Sequence, residues 1–522
     1  MRVVTAAQIA ELDRRATEEY GIPISRLMDA AGRRVAQAAE EILGVQGGRR
    51  ILVLAGKGNN GGDGLVAARY LRAGGFDVRA LLAVSQGDLQ GEPARALAAA
   101  ANAGVTIHSV PTPPSGEELA HEDLIIDALF GTGFHGPIRG VAAALIDSAN
   151  RSAKPILAVD IPSGLDADTG RWEGSCIRAA ATVTMGLPKI GLLVHPGVEM
   201  AGTIYVADIG YPAPLRDDPS IPTHMVTAEM IRALLPVRRP DTHKGTYGRV
   251  LIIAGSVGFT GAATLATLGA LRAGSGLVVV GVPQSVYAIV ASKVTEGMPT
   301  PLPDANGALA SDAVGNIEEL AEGADVIAVG PGLSRASGVL TVVEALLAGS
   351  RPLVIDADGL NVLAGRSAAL ERTHAMAVLT PHPGELSQLA GISAAEVQRD
   401  RLQAARSAAA RFKSIVTLKG ARTVVATPEG EAFIVPTGNA GMATGGMGDV
   451  LTGVTASFIG QGLQPTQAAY AAAYIHGLAA DLIAHARGMM GILASEVADH
   501  LPLAIQRVQV GRHMDGVREL RD

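Results

Sequence analysis

A single cysteine, Cys176, occurs in 522 residues. That excludes an intrachain disulfide framework and a cysteine-built zinc site, and it suits a reducing compartment. Aromatic side chains make up only 3% of the chain, with one tryptophan, so no aromatic platform for stacking bases is expected. A basic excess is missing too: 43 Lys and Arg against 50 Asp and Glu give a net charge of −7, the opposite of a nucleic-acid footprint. Apolar runs such as 250–254 and 277–280 fall far short of the roughly 20 residues a bilayer span needs. The opening Met1-Arg2-Val3-Val4-Thr5 passes straight into a helical pattern, without the layout of a signal peptide. The expectation is a cytoplasmic protein with no nucleic-acid and no membrane partner. What is plentiful is glycine, 64 residues in all, against a usual share of roughly 7%. With 48% apolar residues and no Gly-X-Y period, those glycines mark neither disorder nor collagen.

The length suggests about two to four domains. Residues 5–44 read as two helices: Thr5 and Gln8 form a capping-box pattern, and Ile9, Leu12 and Ala16 share one face. Leu27, Ala31, Val35, Ala38 and Ile42 repeat that spacing. Short apolar runs at 51–55, 78–84, 124–129, 156–159, 183–185 and 204–206 then alternate with helical stretches, as buried strands of a mostly parallel sheet do. Residues 211–223 carry Pro212, Pro214, Pro219 and Pro222 and read as a semi-rigid linker. The alternation restarts at 250–254, 277–282, 326–329, 353–355, 377–379 and 415–418. A hairpin-like pair follows at 423–426 and 432–435, with Ala-rich helices about 468–486 and a short charged tail after Val510, expected to fray. The fold class is α/β, two doubly wound domains over residues 1–215 and 225–510.

The first glycine cluster is Gly56-Lys57-Gly58-Asn59-Asn60-Gly61-Gly62-Asp63-Gly64, between a strand and a helix expected over 65–73. Such a loop lies at the carboxyl end of a parallel strand, where open α/β sheets place ligands. Its glycines would let backbone N–H groups approach an anion beside the positive end of the helix. Asp127 and Asp160 end two further strands, in Asp127-Ala128-Leu129-Phe130-Gly131-Thr132-Gly133 and Asp160-Ile161-Pro162-Ser163-Gly164. An isolated Asp at such a place caps a helix more often than it reacts. Two beside glycine turns point instead to a site that binds a hard cation or moves a proton.

These motifs resemble the NAD(P)H-hydrate epimerase family, over about residues 1–215. The resemblance implies a Rossmann-like domain in which Asn59, Asn60, Gly61, Gly62 and Asp63 bind the phosphate region of the substrate. It also implies that Gly131, Thr132, Gly133, Phe134, His135, Gly136, Pro137 and Asp160 contact the hydrated dinucleotide, and that Asn60, Asp127 and Ser163 hold a potassium ion. Lys189, in Leu187-Pro188-Lys189, is a looser counterpart of the family's lysine. With Asp160 it would open and reclose the hydrate ring or stabilise an iminium, inverting the carbon that bears the hydroxyl.

The second cluster is Thr437-Gly438-Asn439-Ala440-Gly441-Met442-Ala443-Thr444-Gly445-Gly446-Met447-Gly448-Asp449, leading into an apolar helix expected over 450–459. Asp449 in that first turn could complement the helix dipole or activate a substrate hydroxyl, and the glycine density favours chemistry. Other strand ends carry Gly330-Pro331-Gly332, Asp356-Ala357-Asp358-Gly359, Thr380-Pro381-His382-Pro383-Gly384-Glu385 and Lys419-Gly420, while His243-Lys244-Gly245 and Gly255-Ser256 bracket the first strand. Alone, His382 would be a loop histidine and Glu385 a helix N-terminal acid. Together on one rim they suggest an extended nucleotide site.

This half, about residues 225–505, is similar to the ADP-dependent NAD(P)H-hydrate dehydratase family, built on the ribokinase-like fold. The resemblance implies that Lys419-Gly420-Ala421-Arg422-Thr423 and Asn439, Ala440, Gly441, Met442, Ala443, Thr444, Gly445, Gly446, Met447 and Gly448 hold the adenine nucleotide. Ala262, Gly332, His382 and Asp449 would contact the hydrate, with Asp449 the base. ADP would phosphorylate the hydroxyl, magnesium would offset phosphate charge, and elimination of phosphate would restore the dihydronicotinamide. Phe259 stands where the family often has methionine.

The expected whole is a repair enzyme for hydrated NADH and NADPH, with potassium and magnesium as cofactors, ADP as co-substrate and a homo-oligomeric state. A small-molecule kinase and a nucleotide sensor with a dead site are the alternatives, and the intact Gly448-Asp449 pair speaks against the sensor. ADP against ATP, and NADH hydrate against NADPH hydrate, stay open.

Overall fold

The computed structural model describes residues 1–522 except 111, 374, 512–516 and 521–522. Two compact units divide the chain, the first built on Met1–Thr223 and the second beginning at His224. In the first, β1 (Arg50–Ala55), β2 (Asp77–Leu82), β3 (Thr106–Ser109), β4 (Leu124–Ala128), β5 (Ile156–Val159), β6 (Ala181–Met185) and β7 (Thr203–Ala207) form a parallel sheet in the order β7-β6-β5-β4-β1-β2-β3. Successive side chains of β1 go to opposite faces. Ile51, Val53 and Ala55 join one apolar cluster with helices Ala6–Glu18, Ile24–Gln46 and Asn59–Ala73, while Leu52 and Leu54 join another with helix Gly140–Arg151. Burial on both faces explains why these strands read as unbroken apolar runs. Thr5 does cap the first helix, in a capping box with Gln8.

The second unit centres on a ten-stranded sheet. Its strands are β8 (Thr223–Met225), β9 (Arg249–Ile253), β10 (Leu277–Pro283), β11 (Met298–Leu302), then, after the small hairpin of β12 (Asp304–Ala305) and β13 (Ala308–Leu309), β14 (Val326–Val329), β15 (Leu353–Ile355), β16 (Ala377–Leu379), β17 (Ile415–Leu418), β18 (Val424–Ala426) and β19 (Ala432–Ile434). The order is β11-β10-β9-β14-β15-β16-β17-β18-β19-β8, parallel from β11 through β17 and antiparallel across β17-β18-β19. The Ala-rich helix Pro465–Arg487 is buried on most of its faces, between helices Met447–Gly460 and Ala494–Gln509 and this sheet. Among the described residues, no helix is long and apolar enough to cross a membrane.

Doubly wound α/β holds for both units, and three local expectations change. The stretch read as a semi-rigid linker is packed: Leu215 and Ile221 are buried in the first core, and Asp218 pairs with Arg15 at 2.5 Å. Of the tail expected to fray, residues 512–516 and 521–522 lie outside the described residues. Within it β20 (Val517–Leu520) pairs in parallel with β7, as the eighth strand of the first sheet. Finally, the helix expected from residue 65 begins at Asn59, with Gly58 as its N-cap.

That last shift reassigns the glycines. Gly61, Gly62 and Gly64 lie inside the helix, buried, where a Cβ would stand 2.0 Å from the Gly56 carbonyl oxygen, 2.6 Å from Met28 and 2.4 Å from Ala128 respectively. They let the helix lie against the strand ends; only Gly56 and Gly58 belong to the turn before it. Alanine is the better helix former by about 1 kcal/mol. Gly61→Ala should nonetheless destabilise the first unit by about 3 kcal/mol, through overpacking against backbone. Urea denaturation followed by the fluorescence of Trp172 measures this, and an unchanged or raised midpoint would contradict it.

Candidate active sites

In the first unit a cavity of about 800 Å³ opens at the carboxyl ends of β1, β4, β5 and β6. Lys57, Asn59, Asn60 and Asp63 reach it from the turn and first helical turns after β1, and Gly131, Thr132, Gly133 and Phe134 from the loop after β4. Asp160, after β5, adopts φ +66°, a left-handed conformation that a non-glycine residue holds only where its surroundings enforce it. The enforcing contacts are visible: the Asp160 carboxylate accepts hydrogen bonds from Met185 N at 3.0 Å and from Lys189 Nζ at 2.5 Å. Lys189 is fully buried, and its ammonium also donates to Thr184 Oγ1 and the Met185 carbonyl, both at 3.1 Å. All three donors of the ammonium are therefore placed.

Two further groups share the cavity. Asp13, from the first helix, accepts a hydrogen bond from the hydroxyl of Tyr211. Burial raises the Asp13 carboxyl above its ordinary range, against the pull of that bond. Burial also raises Asp63 well above the usual range, with the charges of Asp160 and Asp13 adding to it. Neither Asp13 nor Tyr211 stands out in the sequence. Asp13 sits in the charged run Glu11-Leu12-Asp13-Arg14-Arg15, and Tyr211 in the segment read as linker.

Beneath the cavity, Asp127 and Ser163 are fully buried and joined, Ser163 donating to Asp127 through Oγ at 2.7 Å and through N at 2.8 Å. Burial pushes the Asp127 carboxyl up to about 6, with the Ser163 and Leu129 donors opposing it. The side-chain amide of Asn60 is buried with neither its oxygen nor its nitrogen partnered. A Cβ on Gly131 would come within 3.4 Å of that oxygen. Among the described residues no group of three or more His, Cys, Asp or Glu is arranged to hold a metal. The donors present here are an amide, a hydroxyl and one carboxylate, a set that suits a weakly held hard cation better than a transition metal. The other expected contacts divide: Gly61 and Gly62 are packing positions, His135 and Gly136 line a second concavity, and Pro137 lines neither.

In the second unit, Asp356 ends β15, buried, between Lys419 Nζ at 2.5 Å and Thr452 Oγ1 at 2.8 Å. Glu385 lies 3.7 Å from the same ammonium. Burial alone would lower the Lys419 pKa, but Asp356 and Glu385 more than reverse it, and the net shift is upward. Asp449 stands in the first turn of helix Met447–Gly460. Burial, with Asp356 adding and Lys419 opposing, pushes its carboxyl up to about 7. Gly448 leaves little room here: a Cβ would lie 3.2 Å from Lys419 Nζ and 3.4 Å from Asp356 Oδ2, so those side chains would have to give by a few tenths of an ångström. Gly332 (φ +62°) faces Ala262 and Phe259, where a Cβ would come within 2.9 and 2.8 Å of theirs.

His382 and Glu385 cap a helix together, while Glu385 also faces Lys419. His382 Nδ1 accepts from Gly384 N and Glu385 N, and Glu385 Oε2 accepts in turn from His382 N, making the N-terminal cap of helix Pro383–Ala390. Half-exposed, His382 keeps its Nε2 side 3.4 Å from Glu385. The loop before Asp449 is held from behind by Asp481, which accepts from Gly438 N at 2.9 Å and Asn439 Nδ2 at 2.8 Å. Lone on an Ala-rich helix, Asp481 gives no sequence signal.

Each unit thus places a lysine, fully buried in the first and partly buried in the second, among carboxylates at the carboxyl edge of a parallel sheet, and the class is a two-site α/β enzyme. Comparison with known proteins gives the family. Residues 24–191 match the family model described as YjeF-related protein N-terminus, and residues 250–503 the one described as NAD(P)H-hydrate dehydratase. The bifunctional NAD(P)H-hydrate repair enzyme Nnr of Moorella thermoacetica is 45% identical over 98% of this chain and 97% of its own length. That of Escherichia coli is 38% identical over 94% and 92%. A crystal structure of the ADP/ATP-dependent NAD(P)H-hydrate dehydratase of Bacillus subtilis, with ATP and Mg²⁺, is 33% identical over 55% of this chain and 98% of its own, with a TM-score of 0.48. The chain belongs to the family of bifunctional NAD(P)H-hydrate repair enzymes.

Removing one partner of a buried ion pair costs about 3–5 kcal/mol. Lys189→Met should therefore lower the urea midpoint of the first unit, and adding Asp160→Asn should recover part of the loss. Equal midpoints for Lys189→Met and the unaltered chain would contradict the pairing.

Proposed function

We propose that this chain repairs hydrated NADH and NADPH: the first unit interconverts the R and S epimers, and the second dehydrates the S epimer at the expense of ADP. The observation that carries the reading is the pairing of a strained, lysine-clamped Asp160 in one cavity with a proton-poised Asp449 beside Asp356 and Lys419 in the other unit.

In the first unit Asp160 takes the proton of the hydrate's hydroxyl and Lys189 fixes the carboxylate. As the hydroxyl loses its proton the carbon–nitrogen bond breaks and the nitrogen takes up a proton, giving an open aldehyde. The nitrogen then re-adds to the other face of that carbon as the protons return, and the carbon inverts. Asn59, Asn60 and Asp63 lie at the helix start, where phosphates are favoured by free N–H groups. The unpartnered Asn60 amide, with Ser163 and Asp127, would hold potassium, whose charge would compensate the buried carboxylate.

In the second unit Asp449 removes the hydroxyl proton, and the oxygen attacks the terminal phosphorus of ADP as AMP departs. Loss of phosphate, together with a proton from the adjacent carbon, restores the double bond. Lys419 and the glycine-bearing turn through Gly448 lie where the nucleotide's phosphates would gather. Magnesium would come with the nucleotide, held by its phosphates and one or two carboxylates; the crowding of Asp356, Asp358 and Glu385 around Asp449 is the negative charge such a cation would offset.

As a base, Asp449 must be ionised, so kcat/KM for dehydration should rise with pH through about 7 and then level. A profile already flat from pH 5 would contradict that role. With purified S hydrate, ADP and magnesium, NADH, AMP and phosphate should form in equal amounts. Asp449→Asn should stop all three while leaving the thermal midpoint at pH 8 no lower, since it removes a carboxylate that burial disfavours. A phosphorylated product with no recovered NADH would mark a kinase instead.

A further inference from the structure

A second concavity, of about 230 Å³, adjoins the first unit's cavity. Phe134 lines both. The stretch Gly131–Pro137 therefore splits: Gly131, Thr132 and Gly133 face the cavity holding Asp160 and Lys189, while His135 and Gly136 face the other. Trp172, the chain's only tryptophan, lies in the wall of this second concavity, with Arg171 beside it. Phe134 packs on Phe130 with ring centroids 4.4 Å apart. In a chain with 3% aromatics, three of them thus follow one path along the carboxyl edge.

The concavity is built on a fixed loop. Leu165 and Trp172 bridge in antiparallel fashion, and the Asp166 carboxylate between them accepts from Asp168 N, Thr169 N and Thr169 Oγ1 at 3.1, 2.8 and 2.7 Å. Its other oxygen faces His135 Nδ1 at 3.7 Å. An aromatic wall beside a carboxylate and an imidazole offers apolar surface to a purine and polar partners to a ribose, and Arg171 in the same lining offers a cation to any phosphate the ribose carries.

We infer that this concavity binds the adenosine end of the hydrated dinucleotide, with Trp172 stacking on the base, while the hydrate ring reaches Asp160 and Lys189 across Phe134. The inference rests on the epimerase reading proposed above. It explains why a single loop, running from Gly131 to Gly136, is split between two cavities: a dinucleotide is long enough to need both. Trp172 is a specificity-determining residue, remote from the inverted carbon.

Being the only tryptophan, Trp172 reports on its own site in the unaltered protein. Its emission should change on titration with the dinucleotide hydrate and stay constant with the hydrate of the reduced nicotinamide mononucleotide, which lacks the adenosine. Epimerisation kinetics give the second arm. The unaltered enzyme should prefer the dinucleotide hydrate in kcat/KM. Trp172→Ala should cut that preference about tenfold through KM, the size of one base stack, and Trp172→Phe should restore most of it. A preference unchanged in Trp172→Ala, or emission that responds equally to both hydrates, overturns the inference while leaving the epimerase intact. Absence of epimerisation on either hydrate defeats the epimerase reading, and this inference with it.

Discussion

Close approach of backbone to backbone, between strand-end turns, between a helix and such a turn and between packed helices, is the constraint on which both units depend. In the first, Gly56 would press a Cβ to 2.0 Å from the Leu129 carbonyl oxygen, and Gly61 to the same distance from that of Gly56. In the second, Gly330 would meet the Asp356 carbonyl at 1.8 Å, Gly453 that of Ala266 at 2.0 Å and Gly269 that of Val450 at 2.4 Å. Nothing but glycine fits such distances, and the interior offers no slack to absorb a methyl group. The glycine excess is thus in large part a packing requirement. Its consequence for function is indirect: helix starts and strand ends are brought so near that short polar side chains, Asn60 and Asp449 among them, converge on the ligand edge of the sheet.

The same geometry recurs in the charges. Lys189 and Lys419 are each drawn in against a strand-end carboxylate, Asp160 and Asp356, at 2.5 Å. Around each pair stand further carboxyl groups whose ionisation burial resists: Asp13 and Asp63 in one unit, Asp449 in the other. One cation cannot satisfy several carboxylates, so the surplus proton affinity falls on Asp13 and Asp63 in the first unit and on Asp449 in the second. A carboxyl near 7, such as Asp449, is poised to take a proton at neutral pH. Structural cost and chemical competence have a common source here, namely desolvation.

Much of this was legible in the sequence, and the exceptions have physical reasons. Strands buried on both faces announce themselves as apolar runs, which is why β1, β4, β9 and β14 were readable. β3, Thr-Ile-His-Ser, is a partly exposed edge strand with no such run, and β11 carries Pro299 and Pro301, which an edge tolerates and a central strand does not. The proline segment 211–223 looked like a linker because proline content reports on backbone donors, not on whether Leu215 and Ile221 find a core. The glycine motifs point to the strand ends where polar groups gather in each unit, while many of those glycines are packing positions rather than parts of a loop. Asp13, Tyr211 and Asp481 act through tertiary neighbours far away in sequence, and no local pattern encodes that.

The central claim, that two linked chemistries clear the whole pool of damaged cofactor, is tested most directly in one vessel. A mixture of R and S hydrates is incubated with ADP and magnesium, and NADH absorbance is followed over times short against spontaneous epimerisation. The account predicts complete recovery by the unaltered chain and recovery of only the S fraction by Asp160→Asn. Complete recovery by Asp160→Asn at the unaltered rate would contradict it.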